Sequence, residues 1–110
     1  MGRTEMTTST PWTEGPQTFA GVTGAQLANA VGARGKAISA VANNNYSVTI
    51  PFEVFADPAT LIAYEHNGQP MPVRAKGPLW ILFPFDRDAK YRTDTYRAYA
   101  VWGLSRVEIR

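Results

Sequence analysis

The chain has 110 residues and a mass of 12.1 kDa, which predicts one domain spanning residues 1–110. It contains no cysteine, and this excludes disulfides, thiolate metal sites and cysteine nucleophiles. His66 is its one histidine, so zinc sites built on paired histidines are excluded as well.

The net charge of +2 is unevenly distributed along the sequence. Residues 1–73 carry three basic and five acidic side chains, whereas residues 74–110 carry eight basic and four acidic ones, a local excess of +4. We expect the partner to be an anionic small molecule or another protein, because nucleic-acid binding needs a denser basic surface.

No apolar run reaches the roughly 18 residues that a membrane-spanning helix needs, and we expect no membrane association. The N-terminal residues lack the apolar segment of a signal peptide, so the chain as written is expected to be cytoplasmic. An export signal upstream of Met1 would make it periplasmic instead.

The N-terminal third predicts a strand followed by a helix. A polar strand is expected over Thr4–Thr10, ending before Pro11, because proline cannot donate to a strand ladder. Thr23 and Gln26 have the spacing of a capping box, and Gly32 is typical of a helix C-terminus. We therefore predict a helix between Thr23 and Gly32.

The middle of the chain changes from helical to strand periodicity. The segment Ala37–Ala42 is expected to be a strand of small residues, joined by a turn at Asn43–Asn45 to an alternating strand over Tyr46–Ile50. One helical turn is predicted at Phe52–Phe55, and a further strand at Leu61–Glu65.

Asn67 and Gly68 form a type I′ hairpin signal, although Pro70 confines the returning strand to a short or edge position. The apolar run Trp80–Phe83 is typical of a strand that is buried on both faces.

The C-terminal segment predicts a loop with a short helix over residues 86–97 and a final strand over Trp102–Ile109. The alternation of apolar residues slips within that strand, which indicates a bulge near Ser105. Together these elements predict a strand-rich α+β fold with one substantial helix.

Few residues indicate catalytic chemistry. His66 lies beside the predicted hairpin turn, where we expect a structural histidine rather than an acid or base. Asp86 and Asp88 are better explained as turn residues than as a cation site. No hydrolase, phosphate-loop or dinucleotide motif is present.

Aromatic residues are concentrated towards the C-terminus. Between Trp80 and Trp102 they could line a ligand pocket whose charge comes from basic residues, or they could simply fill the core, which we favour. Those aromatic residues are Trp80, Phe83, Phe85, Tyr91, Tyr96, Tyr99 and Trp102, and the basic ones are Arg74, Lys76, Arg92 and Arg97.

Several of these segments follow one another in a family-specific order. A strand containing a tyrosine runs into Pro51 and is followed by a helical turn, the hairpin LIAYEHNGQP (residues 61–70), the pair Gly77 and Pro78, and the ending WGLSRVEI (residues 102–109). With the FAGV segment (residues 19–22) upstream, the series covers most of residues 17–110. It resembles the molybdopterin-binding domain of the sulfite oxidase family.

The resemblance implies a mixed α+β fold around a molybdenum-pterin cofactor whose metal is held by one cysteine. That cysteine would stand near Thr8 to Thr10, where this chain has none. The family's histidine, arginine and lysine anchors are replaced by Lys76, Trp80 and Val101. The family also has one more strand before the position of Met1, so the fold is expected to be N-terminally shortened.

We therefore expect a binding module without molybdenum catalysis and without a cofactor. Its remnant cleft would be formed by Ser9 and Thr10, the turn with Asn45, and the loop with Arg74 and Lys76. The alternative is a molybdopterin-dependent oxidoreductase with Ser9 or Thr10 near the metal and Lys76 at the pterin phosphate. A sheet edge left open by the missing strand predicts a homodimer.

Overall fold

Two antiparallel sheets, three short α-helices and one 3₁₀ helix make up the part of the chain that the computed structural model describes, which is residues 3–32, 35–71 and 77–109. In chain order the elements are β1 (Thr4–Thr8), β2 (Gln17–Thr23), α1 (Gly24–Val31), β3 (Ala37–Ala42), β4 (Ser47–Pro51), α2 (Phe52–Phe55), β5 (Leu61–His66), β6 (Gln69–Pro70), β7 (Trp80–Leu82), a 3₁₀ helix (Ala89–Arg92), α3 (Asp94–Tyr99) and β8 (Leu104–Ile109). The prediction of a strand-rich α+β fold is therefore confirmed.

The first sheet has the order β1-β2-β5-β6, and β7 also pairs with β5, next to β6. The second sheet has the order β4-β3-β8. An isolated bridge between Trp80 and Trp102 connects the start of β7 to the segment leading into β8. Beside it, the Ile81 N–H donates to the Val101 carbonyl at 2.9 Å, so backbone hydrogen bonds link the two sheets.

The capping box of α1 forms as predicted. The Gln26 N–H donates to the Thr23 hydroxyl at 3.0 Å, and the Thr23 N–H donates to the Gln26 side-chain oxygen at 2.9 Å. The helix ends at Gly32, which has a left-handed φ of 62°. The capping box thus pairs two N–H groups at the N-terminus of α1 that have no partner within the helix.

The hairpin signal is confirmed as well. Asn67 and Gly68 both have positive φ, 51° and 84°, as a type I′ turn requires. The returning strand β6 is only two residues long and ends at Pro70, in agreement with the expected short strand.

The slip in the last strand is a β-bulge. Val41 pairs with Arg106 but the next residue, Ala42, pairs with Leu104, which leaves Ser105 as the extra residue. The Ser105 hydroxyl donates to the Val41 carbonyl at 3.0 Å. The bulge therefore lies where the sequence predicts it.

Three predicted strand boundaries are wrong. The first strand ends at Thr8 instead of Thr10, because the residues after it enter a turn in which the Thr13 N–H donates to the Thr10 carbonyl at 3.4 Å. β7 ends at Leu82, one residue early, as the chain turns towards Pro84. β8 begins at Leu104, and Trp102 lies ahead of it in an isolated bridge to Trp80.

The hydrophobic core lies between the sheets around β7, whose three residues are all buried. This confirms the prediction of a strand buried on both faces. The largest side chains of the core are fully buried and come from β2, α2, β7 and the loop after β7. They are Trp80, Phe19, Phe55, Phe83 and Phe85. No helix in the described part of the chain is long and apolar enough to span a membrane.

The backbones of α1 and α2 approach each other closely at Gly24. A Cβ atom at this position would overlap the carbonyl oxygen of Phe55, and the Gly24 N–H donates to the Thr60 carbonyl at 2.8 Å. Only a residue without a side chain fits at this contact.

We expect Gly24→Ala to lower the free energy of unfolding by about 2 kcal/mol or more, because the added methyl group must push the two backbones apart. Gly32→Ala is the matched control, since its methyl group meets no atom within 4 Å and costs only the left-handed strain of about 1 kcal/mol. Urea denaturation of both variants measures the difference. Equal losses for the two variants would contradict the close contact.

Candidate functional site

The end of β1 is fixed by the loop that follows β7. The Ser9 N–H donates to the Asp86 carboxylate at 2.8 Å, and the Asp86 N–H donates to the Thr8 hydroxyl at 3.3 Å. These reciprocal bonds join residues that are 77 and 78 positions apart in the sequence. They set the direction in which the chain leaves the first sheet.

Thr10 forms the turn that comes next. Its hydroxyl accepts the Trp12 N–H at 3.1 Å and shares a hydrogen bond with the Thr13 hydroxyl at 2.9 Å. Thr10 is itself buried, at 7% exposure. Its side chain is therefore used within the turn, and the turn directs the Trp12 indole towards the second sheet.

Trp12 contacts three other aromatic rings, all edge to face. The ring centroids lie 5.3 Å from Trp102, 5.8 Å from Trp80 and 6.1 Å from Phe85. Trp80 is fully buried and its indole N–H donates to the Ala100 carbonyl at 3.3 Å, whereas Trp102 is 42% exposed. The indoles of Trp12, Trp80 and Trp102, the tryptophan cluster, thus extend from the core to the surface.

A groove of about 460 Å³ lies on the exposed side of this cluster. It is bounded by the turn between β3 and β4, by α3 and by the segment leading into β8. Its lining residues are Trp12, Ala42, Asn43, Asn44, Tyr46, Arg97, Ala98, Ala100, Val101, Trp102 and Gly103.

The turn between β3 and β4 is held rigidly at the rim of the groove. The Asn43 N–H donates to the Gly103 carbonyl at 2.7 Å, and the Asn44 side chain accepts the Tyr46 N–H at 3.0 Å. Asn45 has a φ of 68°, as residues in this kind of turn often do. The Tyr46 ring is left 49% exposed beside the groove.

Among the described residues that line the groove, the cation is Arg97, on α3. The neighbouring Tyr96 packs edge to face on Phe83 at 4.9 Å and on Tyr91 at 5.2 Å, which fixes the helix against the core. Burial raises the pKa of Tyr96, so the phenol stays neutral. Arg97 makes one exposed, 3.4 Å ion pair with Asp94, which is a weak interaction in water.

The predicted site residues are only partly brought together. Ser9 and Thr10 precede Trp12, and Asn45 lies in the turn at the rim, but none of their side chains lines the groove. Their neighbours Trp12, Asn43 and Asn44 do. Arg74 and Lys76 lie outside the described residues.

One residue of the groove differs from what core packing predicts. Phe83 is buried, as expected, but Trp102 is 42% exposed and forms the groove wall. The sequence does not predict that Trp12 lines a site, because this residue follows a proline in a polar segment. A large aromatic side chain among threonines is the only feature of the sequence that distinguishes it.

The other candidates make contacts within the fold. The His66 ring stacks on Phe19 at 4.8 Å and bonds the Gln17 side chain at 3.0 Å. Asp88 accepts the Lys90 N–H at 3.0 Å at the start of the 3₁₀ helix. Among the described residues no group of three or more His, Cys, Asp or Glu side chains could hold a metal ion.

Comparison with known proteins gives one family. The family model for the oxidoreductase molybdopterin binding domain matches residues 1–86, which include β1 to β7 and the end of β1 described above. A search of curated proteins found no match. Because the family match covers well over half of the 110 residues, this chain belongs to the oxidoreductase molybdopterin-binding domain family.

Proposed function

We propose that this protein is a molybdopterin-binding domain of sulfite-oxidase-like fold that has lost molybdenum catalysis and acts as a binding module. Its ligand is an anionic small molecule with a planar ring, bound in the groove beside the tryptophan cluster. The observation that carries the proposal is the end of β1, where the position expected for a metal-binding cysteine is occupied by the hydrogen-bonded Thr10.

The donor set at this position does not suit the family's metal. A threonine hydroxyl is a poor ligand for a metal that is held through soft sulfur ligands. The chain has no cysteine elsewhere that could take the place of the missing one. The Thr10 hydroxyl already accepts the Trp12 N–H. The residues present therefore do not fit the molybdenum centre.

The tryptophan cluster supports the same conclusion. The family resemblance predicts a cofactor-binding arginine where this chain has Trp80, and a lysine where it has Val101. Trp80 and Val101 are both buried, at 0% and 4% exposure. An apolar core thus replaces two positions that would contact an anionic cofactor.

The groove offers suitable chemistry for a planar anion. The exposed rings of Trp102 and Tyr46 can stack on an aromatic ligand, and the amides of Asn43 and Asn44 can hydrogen bond to its edge. Arg97 can bind a carboxylate or phosphate, because its guanidinium is half exposed and only weakly paired.

The second candidate is a molybdopterin-dependent oxidoreductase that holds its cofactor without a protein thiolate. Family membership favours it, and Ser9 is partly exposed beside Thr10. In this alternative Lys76 would bind the pterin phosphate.

Titration with 6-carboxypterin, a planar aromatic anion, tests the proposed ligand class. We expect it to quench tryptophan fluorescence, and Trp102→Ala to weaken binding at least roughly tenfold because a stacking surface is lost. Arg97→Gln should weaken the binding of 6-carboxypterin but not the binding of neutral pterin.

Arg106→Gln is the matched control, because Arg106 lies outside the groove lining and should leave binding unchanged. Circular dichroism verifies that each variant is folded. Equal affinity of the wild type and Trp102→Ala for 6-carboxypterin would contradict the assignment of the groove.

Thr10→Cys tests whether the missing thiolate alone explains the loss of the metal. We expect the variant, purified from cells that make molybdenum cofactor, to remain free of molybdenum, since the buried Trp80 and Val101 replace two of the family's cofactor-binding residues as well. Ser9→Cys is the companion variant at the neighbouring position. Stoichiometric molybdenum in either variant would show that the cofactor cleft is intact and that the missing thiolate alone explains the loss of the metal.

A further inference from the structure

Backbone hydrogen-bonding groups of β1 face its outer edge. The Thr18 N–H donates to the Asn67 side chain at 3.0 Å, and the Thr18 carbonyl accepts the Asn67 N–H at 2.7 Å, so both groups point to the β5 side of β2. Thr7 lies directly opposite Thr18 and therefore forms a non-hydrogen-bonded pair with it. The N–H and carbonyl of Thr7, and by alternation those of Glu5, point away from β2.

This edge is accessible. Within residues 3–32, 35–71 and 77–109, no residue bonds the backbone groups of Glu5 or Thr7 there. All five residues of β1, Thr4–Thr8, instead line a groove of about 430 Å³. The edge ends at Ser9, whose N–H donates to the Asp86 carboxylate at 2.8 Å. An unpaired strand edge is a template for another strand.

The two faces of β1 differ in burial. Thr8 is buried and Met6 is partly buried against the hydrophobic core, whereas Glu5 and Thr7 are exposed. Successive side chains of a strand point to opposite faces, so Met6 lies on the core-facing side and Glu5 on the solvent side. A strand added at this edge therefore meets an apolar side chain on one face and polar side chains on the other.

We propose that a second copy of this chain pairs with β1, antiparallel and about a two-fold axis at Met6. Glu5 then lies opposite the partner's Thr7, and Thr7 opposite the partner's Glu5, as hydrogen-bonded pairs. The edge-facing N–H and carbonyl groups of these residues are all paired in this arrangement. On the core-facing side Met6 lies opposite the partner's Met6, and the two flexible side chains pack on each other.

Hydrogen bonding and charge select this register. An axis at Glu5 would place Glu5 opposite the partner's Glu5, and like charges directly opposed destabilise a strand pair. An axis at Thr7 would place Glu5 opposite the partner's Ser9, whose N–H already bonds the Asp86 carboxylate. The axis at Met6 avoids both conflicts and pairs β1 with itself over its full length.

The ends of the paired strands are complementary in charge. Thr4 lies opposite the partner's Thr8, so Arg3 comes to the same end of the ladder as the partner's Asp86. The Asp86 side chain is exposed, and the Arg3 guanidinium has N–H donors beyond the two in its ion pairs within the chain. A cation and an anion meet at both ends, which favours a second copy as the occupant of this edge.

Cysteine cross-linking tests the register, because the chain has no cysteine of its own. The two Met6 residues would form a non-hydrogen-bonded pair with Cα atoms about 4.5 Å apart, which a disulfide can span. Under mild oxidation we expect Met6→Cys to give a covalent dimer on a non-reducing gel. Glu5→Cys is the matched control and should stay monomeric, because the two Glu5 residues are diagonal to each other. A covalent dimer of Glu5→Cys but not of Met6→Cys would overturn the proposed axis.

Sedimentation velocity tests the edge itself. The wild type should dimerise with rising concentration, and Thr7→Pro should weaken dimerisation at least roughly tenfold, because proline removes an edge-facing N–H from each copy. Thr7→Val is the matched control and should dimerise like the wild type, since both variants lose the hydroxyl bond to Thr18 but valine keeps the N–H.

Circular dichroism verifies that each variant is folded, and the cross-linking result does not depend on the proline variant. A wild type that stays monomeric at all concentrations would overturn the proposal. Equal dimerisation of Thr7→Pro and Thr7→Val would overturn it as well.

Discussion

The buried indole of Trp80 links the two sheets and supports the groove. It lies at the start of β7, bridges to Trp102 ahead of β8, and donates its N–H to the Ala100 carbonyl. Its ring also contacts Phe19 at 5.5 Å on β2. Because one side chain meets both sheets, the position of the segment that forms the groove wall depends on it. A smaller residue would leave a cavity where the sheets join.

Trp12 completes this arrangement from the other end of the chain. The turn at Thr10 directs its indole inwards. The position of this turn depends on the hydrogen bond between the Ser9 N–H and the Asp86 carboxylate. Hydroxyl and carboxylate groups that could serve a metal site are thus occupied in positioning an aromatic ring. The proposed change from cofactor enzyme to binding module involves replacements of this kind at one sheet end, since one fold can carry different functions.

The sequence predicts the features that neighbouring residues determine. The capping box of Thr23 and Gln26, the Asn67 hairpin and the bulge at Ser105 all result from local side-chain chemistry or local periodicity, and all are confirmed. Features that distant residues determine were missed. Nothing near Thr8 indicates that Asp86 ends its strand, and nothing near Trp12 indicates its contact with Trp102.

The same distinction applies to the candidate site. The sequence directs attention to the end of β1 and to the asparagine turn, but it selects Thr10 and Asn45 where the groove uses Trp12 and Asn43. A residue's chemical type suggests a role in binding, whereas its access to a groove depends on how the chain turns. Thr10 and Asn45 form the turns, and the residues next to them form the surface.

We propose that this family member does not hold a molybdenum centre. Elemental analysis of the wild-type protein, purified from cells that make molybdenum cofactor, tests this proposal when the same sample is assayed for released pterin. We expect molybdenum and molybdopterin far below one equivalent per chain. One equivalent of both, retained through purification, would contradict it.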